Sequence, residues 1–165
     1  MLKGGMTAGR NALALALLRI SVGVFFLIFA EYKVAAPTFV EVNFANWIQR
    51  FLAQGVYPFM RPVLEQVVLP HARAFALLVA YGELAIGMSL VLGLLSRAAS
   101  AGGLAFMLAL LFSSDYPGPH ARLWQFFGAS LDHSVLALCF AAFLIGQPEA
   151  ALSVRNWMDR RKAAA

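Results

Sequence analysis

Four long apolar stretches alternate with more polar segments along this chain. Each stretch has about 16–22 residues, and a helix needs about 20 apolar residues to cross a hydrocarbon core of ~30 Å. We therefore predict an all-α fold, a transmembrane four-helix bundle that makes residues 1–165 a single membrane domain. The predicted spans are residues 11–30, 74–95, 98–114 and 131–146.

The segment between the first two spans, residues 31–73, is too polar to cross a membrane and is interrupted by prolines. Part of it has helical periodicity, with apolar residues recurring on one side: Phe44, Trp47, Ile48, Phe51 and Leu52. This pattern predicts an amphipathic helix lying in the membrane interface or against the bundle. Residues 147–165 form a basic tail.

Composition supports the membrane prediction, because 61% of the residues are hydrophobic and only 13% are charged. A soluble domain carries about 25% charged residues. The net charge of +5 does not indicate nucleic acid, since the basic residues stand at the ends of apolar stretches and form no stripe. The predicted environment is a lipid bilayer, and Trp47, Trp124 and Trp157 fit an aromatic belt at its surfaces.

The distribution of basic residues predicts the orientation of the chain. If the amino terminus lies inside, the inner side holds seven of them: Lys3, Arg10, Arg97, Arg155, Arg160, Arg161 and Lys162. The outer segments hold five, spread over a longer stretch. We expect a multi-pass protein of a bacterial-type inner membrane with both termini cytoplasmic. A cleaved signal peptide is the alternative for the first stretch, but that stretch exceeds the usual 7–15 apolar residues.

Two ionisable residues interrupt the predicted spans, Arg19 in the first and Glu83 in the second. Such residues are costly in hydrocarbon and mark functional sites. Helical rise brings them within reach of one another, so we predict an Arg19–Glu83 ion pair. The pair has two interpretations, a purely structural one that fixes helix register and a functional one with Glu83 as a proton-accepting or ligand-binding carboxyl. In a further alternative, the Arg19 side chain extends to the membrane surface, and Glu83 is protonated and therefore neutral.

A second group of polar residues falls where the spans begin and end on the predicted outer side. Asp132 and His133 are, with Glu83, the candidate catalytic residues, and Arg19, Lys33, His71 and Tyr81 the candidate ligand-binding ones. Histidine titrates near neutrality, which suits proton-coupled redox chemistry. In the alternative interpretation, these residues are polar only because the ends of membrane helices lie at the polar surface of the bilayer. The histidines and aspartates lack the close spacing of a metal site, so no metal is predicted.

Short motifs in the first two spans resemble those of the DoxX/DoxD-like membrane proteins. The first contains LLRISVGVFFLIFAEYK and the second YGELAIGMSLVLGLLSR, in which Glu83, Gly87, Gly93 and Arg97 match the family pattern. The resemblance covers residues 13–146 and implies a four-helix membrane bundle. The family takes its name from small membrane subunits of a thiosulfate–quinone oxidoreductase. The chain departs from the pattern at Ala30, where glycine is usual, and in its long first loop.

The resemblance implies a membrane subunit of a redox system that binds a quinone or a small sulfur compound near Glu83. A quinone is therefore the candidate ligand, and no covalent or metal cofactor is evident. Electrons must come from another membrane or peripheral subunit, or from the substrate directly. The alternative function is a structural or anchoring subunit without chemistry of its own. A solute transporter fits less well, because inverted repeats are not visible.

Overall fold

A computed structural model describes residues 2–163, and the side chains of residues 2–8, 155, 159, 160, 162 and 163 lie outside that description. The topology signals Lys3, Arg155, Arg160 and Lys162 are among the latter. The α-helices are α1 (Leu2–Ala35), α2 (Phe44–Gln54), α3 (Arg61–Val63), α4 (Ala72–Leu92), α5 (Ser96–Ser113), α6 (Leu123–Gly128), α7 (Leu131–Ile145) and α8 (Val154–Ala163). Two π-helical turns, Phe39–Asn43 and Leu64–Val68, precede α2 and follow α3.

The structure confirms the predicted all-α bundle. Within the described residues, α1 from Gly9, α4 and α5 are long and apolar enough to cross a membrane, and α7 is a shorter apolar helix. At 15 residues, α7 is about 22 Å long, less than the hydrocarbon core. In contrast, α1 extends beyond both ends of the predicted first span. We call the end where α1 and α5 finish, and α4 and α7 begin, the upper end.

The bundle consists of two helix pairs, α1 with α4 and α5 with α7, and α4 joins the pairs through smaller contacts with α5. In the first pair, glycines permit close approach. A Cβ atom on Gly87 would lie 2.8 Å from Leu27 Cδ2 and 3.0 Å from the Gly23 carbonyl oxygen. Small residues serve this purpose in membrane helices because packing, rather than the hydrophobic effect, must bring the backbones together.

In the second pair, a glycine makes room for an aromatic ring. A Cβ atom on Gly103 of α5 would lie only 2.3 Å from the nearest ring atoms of Phe140 of α7. Phe140 also makes edge-to-face contacts with Phe26 and Phe143, at centroid distances of 5.3 and 6.2 Å. Through Phe26 of α1, this aromatic contact connects the two helix pairs.

The segment between α1 and α4 packs against the upper half of the bundle. The amphipathic helix predicted there is present as α2, whose buried residues Phe44 and Ile48 belong to one apolar cluster with Ala76 and Ala80 of α4. Phe39, fully buried, precedes α2 in the same cluster. The apolar side of α2 is therefore covered by the bundle itself.

Arg19 holds the lower end together and is 0% exposed. Its guanidinium donates to the carbonyl oxygens of Leu90 and Val91, which lie in the last turn of α4, and to those of Pro148 and Leu152 after α7. The last carbonyls of a helix lack partners within it and favour a nearby positive charge. Arg19 thus caps α4 and ties the tail to the bundle.

Gly93 ends α4 beside this arginine in the left-handed conformation, with φ +69°. Glycine adopts this conformation without strain, which explains its use after a helix. A Cβ atom here would also lie 2.3 Å from Ser153 Cβ and 2.8 Å from Arg19 Nη1. Because Gly93 has no side chain, the tail segment around Ser153 can pack against the end of α4.

The close approach of α1 and α4 predicts different effects for two glycines of the same helix. We expect Gly87→Ala to destabilise the protein by about 1–3 kcal/mol, the usual cost of overpacking. Gly82→Ala is the matched control, because a Cβ atom there would meet no atom within 4 Å. Unfolding in mild detergent measures both variants, and equal stabilities would contradict the proposed crossing.

The capping role of Arg19 predicts that Arg19→Met lowers the free energy of unfolding by about 2–3 kcal/mol, because charge-assisted hydrogen bonds are lost. Proteinase K should then cut residues 146–153 faster than in the unaltered protein. Arg10→Met is the control, since Arg10 is exposed on the same helix. Unchanged stability and cleavage for Arg19→Met would show that the arginine does not hold this end.

A buried ion pair beside an aromatic cavity

Lys33 and Glu83 form a buried ion pair between α1 and α4. The Lys33 ammonium lies 2.5 Å from each carboxylate oxygen of Glu83. Lys33 is 8% exposed and Glu83 5% exposed. The ammonium also lies 5.8 Å from the ring centroids of Tyr32 and Phe39, within cation–π range. Each charge thus compensates the other where water is scarce.

The predicted Arg19–Glu83 pair is wrong, and the reason is the direction of helical side chains. Gly23 and Gly87 are in contact and so lie at about the same height in the bundle. Counted from that height at about 1.5 Å per residue, the backbone of Lys33 lies about 9 Å above that of Glu83, and the backbone of Arg19 about 12 Å below it. Side chains lean toward the amino terminus of their helix. Because α1 and α4 are antiparallel, Glu83 leans up while Lys33 and Arg19 lean down. Glu83 therefore converges with Lys33 and diverges from Arg19.

A cavity of about 330 Å³ lies beside this pair in the upper half of the bundle. Helices α1, α4, α5 and α7 and the segment before α4 all contribute to its walls. Half of its eighteen lining residues are aromatic: Phe25, Phe26, Phe29, Tyr32, Phe39, Phe44, Trp47, Phe51 and Phe106. The volume is typical of small-molecule sites, which are largely apolar with a few polar groups that orient the ligand.

The acidic and basic side chains of this cavity are the ion pair together with Asp132 and His133 at the start of α7. The Asp132 side chain is 73% exposed and lies 3.6 Å from His133 Nδ1. The His133 side chain is 23% exposed, and its buried Nδ1 has no hydrogen-bond partner. His133 thus lies between an exposed carboxylate and the cavity.

The structure brings together four of the seven candidate residues, Lys33, Glu83, Asp132 and His133, around one cavity. It places the other three elsewhere. Arg19 is at the lower end, and Tyr81 is 55% exposed on the outer side of α4. His71 is exposed, and its Nδ1 lies 3.0 Å from the Val67 carbonyl oxygen. Neither Tyr81 nor His71 lines the cavity.

Sequence reasoning missed the aromatic lining of the cavity. Trp47, assigned to an aromatic belt, instead lines the cavity and packs against Phe39 at a centroid distance of 5.7 Å. Trp124 and Trp157 are exposed, as a belt requires. The run of phenylalanines in the first span carried no usable signal, because an aromatic residue facing lipid and one facing a cavity look alike in sequence. Only the packing of α2 distinguishes them.

The side chains around the cavity carry no net positive charge. Lys33 and Glu83 cancel, Asp132 is negative, and His133 is neutral or singly positive. Within the described residues, no group of three His, Cys, Asp or Glu side chains is placed to hold a metal ion. The arrangement suits a neutral, flat, partly polar molecule that stacks on aromatic rings and accepts a hydrogen bond from an ammonium.

Comparison with known proteins gives one finding. A family model described as "TQO small subunit DoxD" matches residues 14–137, which include α1, the segment before α4, α4, α5 and the start of α7. No curated protein and no solved structure matches the chain. The match covers three quarters of the chain and includes the ion pair, Asp132 and His133. The chain therefore belongs to the DoxD family, and it is a membrane subunit of a redox-related complex.

Proposed function

We propose that this subunit binds the head group of a quinone in the aromatic cavity, against the Lys33–Glu83 ion pair. The observation that carries the proposal is this pair, placed by α1 and α4 at the wall of a cavity lined by aromatic rings. An ionisable pair within a membrane bundle is costly and marks a functional site by default. A purely structural pair would not need a cavity of ligand size beside it.

Chemical complementarity favours a quinone over a sulfur oxyanion such as thiosulfate. A quinone ring is neutral and flat, and its carbonyl oxygens accept hydrogen bonds from an ammonium group. Thiosulfate carries two negative charges, and the groups around this cavity offer no net positive charge to balance them. Burying an unbalanced anion would be strongly unfavourable. We therefore place oxidation of a sulfur compound at another site of the complex.

Reduction of a quinone to a quinol consumes two electrons and two protons. The electrons come from a membrane or peripheral partner subunit, because the described side chains include no redox-active pair. In this proposal the protons travel from the exposed Asp132 through His133 to the cavity, and Glu83 passes a proton to the bound ring. In this scheme Glu83, His133 and Asp132 take part in proton transfer, and Lys33 orients the ring.

The proposed orientation places both termini in the cytoplasm of a bacterial-type inner membrane. The upper end, with the cavity and Asp132, then faces the outer side. The support is the higher density of basic residues near the lower end and in the tail, including Arg10, Arg97 and Arg161. Protons for quinol formation would accordingly be exchanged with the outer side.

Quinone binding can be measured through Trp47, which lines the cavity. A Trp124→Phe/Trp157→Phe protein retains only this tryptophan, and a tail-less ubiquinone should quench its fluorescence saturably. In this background, Lys33→Met/Glu83→Gln should weaken binding by about tenfold or more, because charge-assisted hydrogen bonds to the ring are lost. Glu65→Gln is the matched control, since it opens the exposed Arg61–Glu65 pair instead.

The double variant also separates function from structure. Removing one partner of a buried pair costs about 3–5 kcal/mol, whereas replacing both often costs little. Glu83→Gln alone should therefore be less stable than Lys33→Met/Glu83→Gln. A stable double variant that binds the quinone as well as the unaltered protein would refute the proposal and leave the pair a structural role.

The orientation predicts which sites react with a membrane-impermeant maleimide in intact cells. In a Cys139→Ala background, His120→Cys in the upper loop should be labelled. Ala98→Cys at the start of α5 should be labelled only after the membrane is opened. Both positions are exposed in the structure. The reverse labelling pattern would place the termini on the outer side and the upper end of the bundle in the cytoplasm, and would contradict the proposed orientation.

A further inference from the structure

A second cavity, of about 460 Å³, lies between α4 and α5 in the same half of the bundle. Its lining comes from these two helices and from the segment before α4, and includes Leu64, Phe75 and Ile86. Among the lining side chains only Glu83 and Ser113 are polar. A cavity of this composition offers no means of orienting a polar ring but is well suited to a hydrocarbon chain.

The two cavities adjoin at the ion pair. Glu83 lines both of them, together with six apolar residues that include Phe51, Val79 and Phe106. A ligand that places a polar ring against Lys33 and Glu83 therefore has an apolar space directly next to that ring. The bundle thus provides one aromatic compartment with a few polar groups and one almost wholly apolar compartment, which meet at a single carboxylate.

The second cavity opens toward the lipid-facing surface between α4 and α5. Leu78, which lines it, is 67% exposed, and Val63 is 42% exposed. Glycines on the two helices keep this cleft open. A Cβ atom on Gly82 would meet no atom within 4 Å, and one on Gly102 would meet only Ile86 Cδ1, at 3.9 Å. Unlike Gly23 and Gly87, these glycines do not serve close helix contact.

We propose that the cavity between α4 and α5 holds the hydrocarbon tail of the quinone whose head group lies against Lys33 and Glu83. This inference rests on the proposed function and adds to it the place of the hydrocarbon tail in the bundle. The ring requires the polar groups at the ion pair, and the tail requires only apolar walls. The cleft between α4 and α5 gives the tail continuous contact with the membrane while the ring is bound.

The test fills the cleft and compares two quinones in one detergent. Gly102→Leu projects a side chain into the second cavity, and Gly102→Ala gives a graded, smaller change. With Gly102→Leu, the affinity for decylubiquinone should fall by roughly tenfold, the equivalent of losing contact with about two methylene groups. The affinity for the tail-less ubiquinone should stay within about twofold, which also shows that the variant is folded.

Ala105→Leu is the matched control, because Ala105 is exposed on the same helix and lines neither cavity. It should leave both affinities unchanged. If Gly102→Leu weakens both quinones equally, or neither, the tail assignment is wrong while head-group binding stands. If the unaltered protein fails to bind the tail-less ubiquinone, the proposed function itself fails.

A phospholipid acyl chain shares the chemistry of the tail, and mass spectrometry of the purified protein distinguishes the two. We expect decylubiquinone to displace any phospholipid retained by the unaltered protein. A phospholipid that decylubiquinone does not displace, and that Gly102→Leu no longer retains, would assign the cavity to lipid and overturn the proposal.

Discussion

A charge in hydrocarbon must be held by neighbouring groups, and this constraint determines how α1 is attached to the rest of the bundle. The helix carries two buried cations, Arg19 in its middle, level with the last turn of α4, and Lys33 near its upper end. Arg19 is compensated by carbonyl oxygens, and Lys33 by a carboxylate. Between them the backbone of α1 approaches α4 at Gly23 and Gly87. The two electrostatic contacts and this close approach together set the register of the helix pair.

The two contacts differ in chemistry, and so do their roles. The Arg19 guanidinium caps the last carbonyls of α4 and binds the tail, and each of its three nitrogens donates to a backbone carbonyl, which suits a structural role. An ammonium paired with a carboxylate beside an aromatic cavity retains exchangeable protons and a partner that can take one. The same requirement for charge compensation thus produces a structural site at one end and a candidate ligand site at the other.

The all-α bundle followed from hydrophobic periodicity, and the amphipathic α2 did as well, because burial in lipid imposes a strong pattern on sequence. The partner of Glu83 did not follow from the spacing alone. Helical rise indicated Arg19, but the lean of side chains on antiparallel helices directs Glu83 toward Lys33 instead. The cavity was beyond sequence reasoning, because Phe25 and Phe29 carry no mark that tells a ligand wall from a lipid-facing surface. The sequence likewise does not distinguish Gly82 from Gly87, although Gly82 borders an open cleft and Gly87 lies at the close contact with α1.

The central claim is that Lys33 and Glu83 are in direct contact inside the bilayer. Solid-state NMR on protein reconstituted in lipid measures this most directly, through the dipolar coupling between ¹⁵N-labelled lysine Nζ and ¹³C-labelled glutamate Cδ. The account predicts a strong coupling that Lys33→Met abolishes and that Glu65→Gln leaves in place. A spectrum without that coupling, or one whose coupling survives Lys33→Met, would contradict it.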